Sequence, residues 1–265
     1  MNADEGGVRV EVSVERLREI LGGDPIWTLY MLGDLEPERW PHAEWRCGDA
    51  AVVLLYREFG VPVLLAAGAL GDVRRLLDEL SREESIYLHV QTAVAALVER
   101  DYEIDDRRPM IRMALVRDRF VPASVRGVAP DRLGGEHREN IAALYRDGEA
   151  AGESPGFYTP EMLEQKTYVG VWEGEDLVAA AGTHLVSERE GVAAIGNVYT
   201  RRDRRGRGLA AAVTSAVAAG LIERGIGTIG LSVGERNAGA IRVYERLGFV
   251  EHCRFLEGLA HRRDG

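Results

Sequence analysis

The densest grouping of residues able to do chemistry is Asn197-Val198-Tyr199-Thr200-Arg201-Arg202-Asp203-Arg204-Arg205-Gly206-Arg207-Gly208-Leu209-Ala210. A strand-like run ends here, two glycines permit a tight turn, and small residues open a helical pattern. Such a junction offers backbone N–H groups and the positive end of a helix dipole to an anion. The surrounding arginines add charge-assisted hydrogen bonds to phosphate oxygens, and Ala210 and Ala211 keep the helix start narrow. A pyrophosphate suits this arrangement. The chain has neither the GxGxxG of dinucleotide sites nor the GxxxxGK[ST] of triphosphate loops. A second group follows at Asn237 and Tyr244. Periodicity alone reads Tyr244 as a core aromatic on an inner helix face and Asn237 as a helix N-cap.

The elements that must position these residues are legible in the second half. Residues 166–172 and 177–186 are strand-like and joined by the turn Glu173-Gly174-Glu175-Asp176, and 192–200 is a third strand. Over 207–224, Leu209, Val213, Val217 and Leu221 recur every four residues as a buried helical stripe, with Gly225 as a stop. Ile229, Leu231 and Val233 alternate as in a strand, a helix runs from Asn237 to Gly248, and 249–256 closes as a strand. This order predicts an α/β class, an α+β mixed sheet with helices packed on it. Upstream, 131–146 reads as a helix, and 147–160 as either a plain connection or an acceptor-binding loop.

The first half repeats the order more weakly. Strands are expected at 52–56, 63–67 and 86–90, a helix through Val73, Leu76, Leu77 and Leu80, a second helix over 92–100, and extended segments at 102–104 and 110–116. Aligning Glu99-Arg100 with Glu245-Arg246 sets Val98 opposite Tyr244 and Gln91 opposite Asn237. The earlier copy, Gly68-Ala69-Leu70-Gly71-Asp72, lacks the arginines. Residues 1–120 are therefore expected to form a degenerate repeat without the cofactor motif, and 121–265 the working domain.

At this point the residues resemble the GNAT acyltransferase superfamily. Arg205-Gly206-Arg207-Gly208-Leu209-Ala210 matches its signature of a basic or amide residue followed by xxGxG/A. Asn237-Ala238-Gly239-Ala240-Ile241-Arg242-Val243-Tyr244-Glu245-Arg246-Leu247-Gly248-Phe249 resembles its NxxAxxxYxxxGF block. The resemblance covers about residues 125–257. The tandem arrangement is most similar to the branch containing glycine N-acyltransferases and related bacterial proteins. It implies two tandem GNAT-like domains, the first degenerate, and an acyl-CoA, chiefly acetyl-CoA, as co-substrate. By the same resemblance, backbone amides of Arg205, Gly206, Arg207, Gly208, Leu209 and Ala210 hold the pyrophosphate. Asn197, Val198, Tyr199 and Thr200 line the pantetheine arm, with one N–H polarising the thioester carbonyl. Asn237 bonds the pantetheine or its phosphates, and Tyr244 protonates the departing thiolate as general acid.

The proton acceptor departs from the family's pattern, because Val192-Ala193-Ala194-Ile195-Gly196 lacks the glutamate that many members carry in this strand. His184, on the neighbouring strand, is the candidate base, since imidazole titrates near neutral pH; an exposed or hydrogen-bonded strand histidine is an equally good reading. Glu149 and Glu153 are weaker candidates for attracting an acceptor's ammonium.

Composition limits the rest. A formal charge of -10, from 33 basic and 43 acidic residues, disfavours a nucleic-acid partner. Cys47 and Cys253 fit neither a disulfide framework nor a metal motif, so no metal is implied and a covalent acyl-enzyme is disfavoured. No run reaches membrane-span length and Met1 to Gly7 lacks a signal-peptide pattern, so the expectation is a soluble cytoplasmic protein. The reading is an enzyme, an N-acetyltransferase passing an acetyl group from acetyl-CoA to a small-molecule amine or amino-acid acceptor by direct attack in a ternary complex. The alternative is a noncatalytic acyl-CoA-binding sensor or regulatory protein. The first half is open to three roles: widening the acceptor groove, stabilising the working domain, or forming a homodimer contact.

Overall fold

Alternating and fully apolar runs give strands, and four-residue apolar stripes give the helices laid on them. The computed structural model describes residues 12–263, so the Met1 to Gly7 reading lies outside it. In chain order the elements are α1 (Val14–Leu21), α2 (Leu29–Gly33), β1 (Ala43–Cys47), β2 (Ala51–Tyr56), β3 (Val63–Gly68), α3 (Leu70–Asp78), β4 (Ser85–Gln91), α4 (Thr92–Val98), β5 (Tyr102–Ile104) and β6 (Arg108–Leu115). Then come β7 (Asp131–Arg132), α5 (Arg138–Glu149), β8 (Val169–Glu173), β9 (Asp176–Ser187), β10 (Val192–Thr200), α6 (Leu209–Glu223), β11 (Thr228–Gly234), α7 (Ala238–Leu247) and β12 (Phe249–Arg262). The helix expected from residue 131 starts at Arg138 instead. Leu133 N–H bonds the Tyr168 carbonyl at 2.9 Å, which holds this stretch extended, and Gly134-Gly135 then breaks the chain direction.

One sheet runs through the whole molecule in the order β1-β2-β3-β4-β12-β6-β11-β10-β9-β8-β7, with β5 paired to β12 beside this path. The order is nearly palindromic. In the first half β2 and β3 are antiparallel and β3 and β4 parallel, with α3 between the parallel pair. In the second half β9 and β10 are antiparallel and β10 and β11 parallel, with α6 between them. Gln91 and Asn237 both occupy the N-cap positions of the helices that follow, α4 and α7.

The centre is an exchange of strands. β12, last in sequence, pairs antiparallel with β4 of the first half, while β6 pairs antiparallel with β11 of the second. β6 and β12 pair with each other from Phe249↔Leu115 to Glu257↔Arg108. Thus the strand before residue 120 serves the later half and the final strand serves the earlier one.

The stripe read from the sequence is the buried face of α6: Leu209, Val213, Val217 and Leu221 are at most 3% exposed and pack with Ile195, Leu231 and Phe249. The opposite face of the sheet is covered by α1 and α2 through Leu17, Leu21, Leu29 and Met31, and by α5 through Ile141, Leu144 and Tyr145. Among the described residues no helix is long and apolar enough to cross a membrane.

Candidate active site

Gly206 and Gly208 both have φ of +78°, the left-handed conformation that favours glycine. Gly208 is the N-cap of α6 and offers no side-chain cap. Ala212 N–H bonds the Gly208 carbonyl at 3.1 Å, so the N–H groups of Leu209, Ala210 and Ala211 leave the helix end without an intrahelical acceptor. Around this opening four of the five arginines are paired. Arg204 and Arg207 meet Glu173 at 2.7 and 2.5 Å, Arg205 meets Glu153 at 2.6 Å, and Arg201 meets Asp176 at 3.0 Å. Glu153 thus anchors the turn rather than facing an acceptor.

The strand leading into the turn separates from its neighbour. Pairing of β10 with β11 runs from Val192↔Thr228 to Ile195↔Leu231 and stops. Beyond it, β10 shifts register against β9 between Gly196 and Tyr199, and Asn197 takes φ of +54°. Its carbonyl turns toward α5 and accepts from Tyr145 OH at 2.8 Å. A wedge therefore opens between Val198-Tyr199-Thr200 and Ser232-Val233-Gly234, with the Gly206–Gly208 turn directly after it in the chain. Tyr199 is buried, its hydroxyl donating to Asp147 at 2.8 Å while Arg205 lies 5.6 Å over its ring.

Tyr244 packs in the α6 and α7 layer beside Phe249, with ring centroids 6.0 Å apart, and burial raises its phenol to about 12. Asn237 caps α7, its Oδ1 accepting from Ala240 N–H at 3.1 Å.

His184 lies on the other face of the sheet. Ala194 pairs with Leu185 and Ile195 with Thr183, so His184 is the extra residue of a bulge in β9, which re-aims its ring. Gly196 makes room for it: a Cβ there would fall 2.2 Å from His184 Nε2. Asn197 Nδ2 donates to Tyr168 OH at 2.6 Å, which leaves Oδ1 to accept from His184 Nε2 at 3.2 Å. Nδ1 therefore accepts from Tyr30 OH at 2.9 Å. Burial lowers this imidazole to about 4, so it is neutral at physiological pH.

Tyr30 and His184 border a cavity of about 780 Å³ between the two halves, walled also by Tyr56, Phe59, Phe157 and Glu257. Gly156 and Thr159 join Phe157 in this wall, so the 147–160 segment contributes to it. Ser232 borders it too, with a hydroxyl that is buried and unpartnered among the described residues.

Residues 138–249 match the acetyltransferase (GNAT) family. The chain carries a GNAT acetyltransferase domain. No curated protein matches the chain in sequence. Among solved structures it is similar to a GCN5-related N-acetyltransferase from Kribbella flavida, at 20% identity and TM-score 0.61, covering 91% of this chain and 95% of that one. It is also similar to a GCN5-related N-acetyltransferase from Sphaerobacter thermophilus, at 17% identity and TM-score 0.56, covering 93% of each. A third likeness is to a tandem GNAT protein from the clavulanic acid biosynthesis pathway, at 14% identity and TM-score 0.56, covering 95% of each chain. At these identities the likenesses establish the fold, which is GNAT-like.

Within the GNAT domain, residues 197–210 form one continuous strand-turn-helix run, whereas Tyr244 and His184 stand on opposite faces of the sheet. Tyr30, Tyr56 and Glu257 were not legible as neighbours of this site, since 154 residues separate Tyr30 from its partner His184.

The state of His184 gives a testable pH dependence. Its folded value lies below the ordinary 6.5, so the stability of the neutral ring is complete above about pH 6.5 and is lost as pH falls toward 4. One edge of the ring faces the cavity, which reduces the loss to on the order of 2 kcal/mol. Urea unfolding between pH 4 and 7 should show this acid limb, and His184→Gln should flatten it; an unchanged limb in the variant assigns it to other groups.

Proposed function

We propose that this protein transfers an acetyl group from acetyl-CoA to a primary amine by direct attack in a ternary complex. The observation that carries this reading is the anion-binding turn of Gly206 and Gly208 placed at the mouth of the β10/β11 wedge. The N–H groups of 205–210 receive the pyrophosphate, the wedge edge at Val198, Tyr199 and Thr200 takes the pantetheine arm, and Asn237 flanks it. The amine nitrogen attacks the thioester carbon from the cavity side, the C–N bond forms, and the C–S bond breaks. The thiolate takes a proton from Tyr244, the proton released from nitrogen passes to the Tyr30–His184 pair and then to water, and water returns a proton to the Tyr244 phenolate. A phenol held near 12 stays protonated throughout the physiological range, as a general acid must. An imidazole held near 4 stays unprotonated there. The rise of kcat/KM with pH is therefore expected to follow the acceptor's own ammonium, with no separate inflection near 6.5.

Tyr244→Phe tests the reading. It should lower kcat about 10²- to 10³-fold while leaving acetyl-CoA binding within about twofold. Unchanged turnover at every pH would remove Tyr244 from the chemistry.

The sensor reading retains two supporting observations: both ring nitrogens of His184 are bonded within the protein, and residues 192–196 carry no carboxylate. It predicts acetyl-CoA binding without turnover for any amine. For the first half, the mirrored order of β2-β3-α3-β4-α4 and β9-β10-α6-β11-α7 supports a degenerate GNAT-like repeat ending near residue 120. The unpaired Cys47 and Cys253 suit a reducing cytoplasm.

A further inference from the structure

The cavity between the halves carries a charge imbalance. Each arginine at or behind its wall is already engaged: Arg39 with Asp34 at 3.1 Å, Arg108 with Asp106 at 2.7 Å, and Arg112, fully buried, with His89 Nε2 at 2.6 Å. Three wall carboxylates have no direct cationic partner among the described residues. Glu58 accepts only from Tyr56 OH, Glu161 stands on the rim, and Glu257 accepts from Tyr87 OH and from His89 Nδ1, both at 3.1 Å. His89 is held neutral by burial, and Arg112 lies beyond its far nitrogen. An incoming carboxylate would find no unpaired cation here, whereas an ammonium would find three acceptors and the rings of Tyr56 and Phe59.

The acidic groups are also spaced across the sheet. Ser232 on β11 is two strands from Glu257 on β12 and, since Ser232 and Cys253 both pair with Arg112 of β6 while Glu257 pairs with Arg108, four residues further along. Glu58 follows β2, three strands further, beyond Tyr56 at that strand's end and displaced in the same direction. Entering the wedge beside Ser232, a linear amine would thus pass Glu257 and then approach Glu58.

We propose that the acceptor is a linear amine with two or more ammonium groups and no carboxylate, one end reacting at the wedge and the rest drawn into the cavity by the uncompensated charge of Glu257 and Glu58. This rests on the acetyltransferase reading above. It also gives the first half a role, because Tyr30, Tyr56 and Glu58 all come from it.

The test compares spermidine, 1,4-diaminobutane, butylamine, lysine and glycine as acceptors in the presence of acetyl-CoA, with acetyl-CoA binding followed in the same preparations by thermal unfolding. Spermidine should exceed butylamine in kcat/KM by about tenfold or more, and lysine, which carries two ammonium groups one carbon further apart together with a carboxylate, should fall below 1,4-diaminobutane. Glu58→Gln, in an exposed turn where folding is not at stake, should reduce the spermidine-to-butylamine ratio about tenfold, through KM. Preference for lysine or glycine, equal use of spermidine and butylamine, an unchanged ratio in Glu58→Gln, or no turnover of any of the five despite acetyl-CoA binding overturns the inference. Absence of acetyl-CoA binding overturns the acetyltransferase reading instead. Calorimetric titration of spermidine into the free protein then still decides the cavity: binding weakened in Glu58→Gln supports the acceptor class, and no binding refutes it.

Discussion

Gly208→Glu is expected to abolish acyl-CoA binding while leaving the protein folded. The residue sits at φ of +78°, where a side chain costs about 1–2 kcal/mol, and its new Cβ would lie 3.0 Å from Val125 Cγ2. A carboxylate at a helix N-terminus recovers part of that cost through the dipole. The same carboxylate occupies the position from which the turn presents its N–H groups, so the charge that steadies α6 repels a pyrophosphate. Saturating acetyl-CoA at about a hundred times Kd should stabilise the wild type by about 2.7 kcal/mol, a rise of roughly 5–10 °C in Tm for a chain of this size. CoA should do the same, ATP should not, and the variant should show no rise with either CoA species. A wild type indifferent to every CoA species would mean that the turn binds none of them. A variant that still responds would place the pyrophosphate elsewhere.

The second large effect is expected at Arg112. Its guanidinium is fully buried, lies 4.9 Å over the Tyr30 ring and 5.3 Å over Phe255, and reaches Glu257 only through His89. Its Nε and Nη1 have no hydrogen-bond partner among the described residues. Removing one member of a buried charged set strands the other, so Arg112→Ala should cost about 3–5 kcal/mol, a large share of the 5–15 typical of a whole domain. Arg112→Met keeps most of the volume and isolates the charge. In the wild type His89, Tyr87 and Arg112 hold Glu257 below the usual carboxylate range against its burial. Without Arg112 it loses one of the groups that lower it, and the stability tied to a lowered carboxylate is present at high pH and lost as pH falls. The deficit of Arg112→Met in urea unfolding should therefore shrink from pH 7 to pH 5. A variant as stable as the wild type at pH 7 would show that Glu257 needs no cation behind it.

What the sequence made legible follows from where local rules apply. The 207–224 stripe, the glycine turn and the N-cap at Asn237 depend on neighbours within a few residues, and α6, Gly208 and α7 stand where those rules put them. α1, α2 and β1 went unread: α2 is five residues of LYMLG with no side-chain cap and β1 is five residues long, so neither carries a strong period. His184 was legible as a strand histidine, but its direction depends on a bulge, which alternation cannot reveal. The site's contributions from Tyr30, Glu58 and Glu257 arise only from the sheet order, which brings residues far apart in sequence to one cavity. A boundary near 120, expected from the repeated order, falls after β6 along the chain, yet β6 pairs with β11 and β12 with β4 across it.

That crossing orders events during synthesis. Until Phe249–Arg262 has emerged from the ribosome, β4 lacks its antiparallel neighbour and the strand β6 has nothing on that side, so the nascent first half carries open, apolar sheet edges. The halves then complete one another in a single late step rather than folding one after the other, and a ribosome stalled short of residue 249 would release a chain whose most exposed edges are those most prone to aggregate.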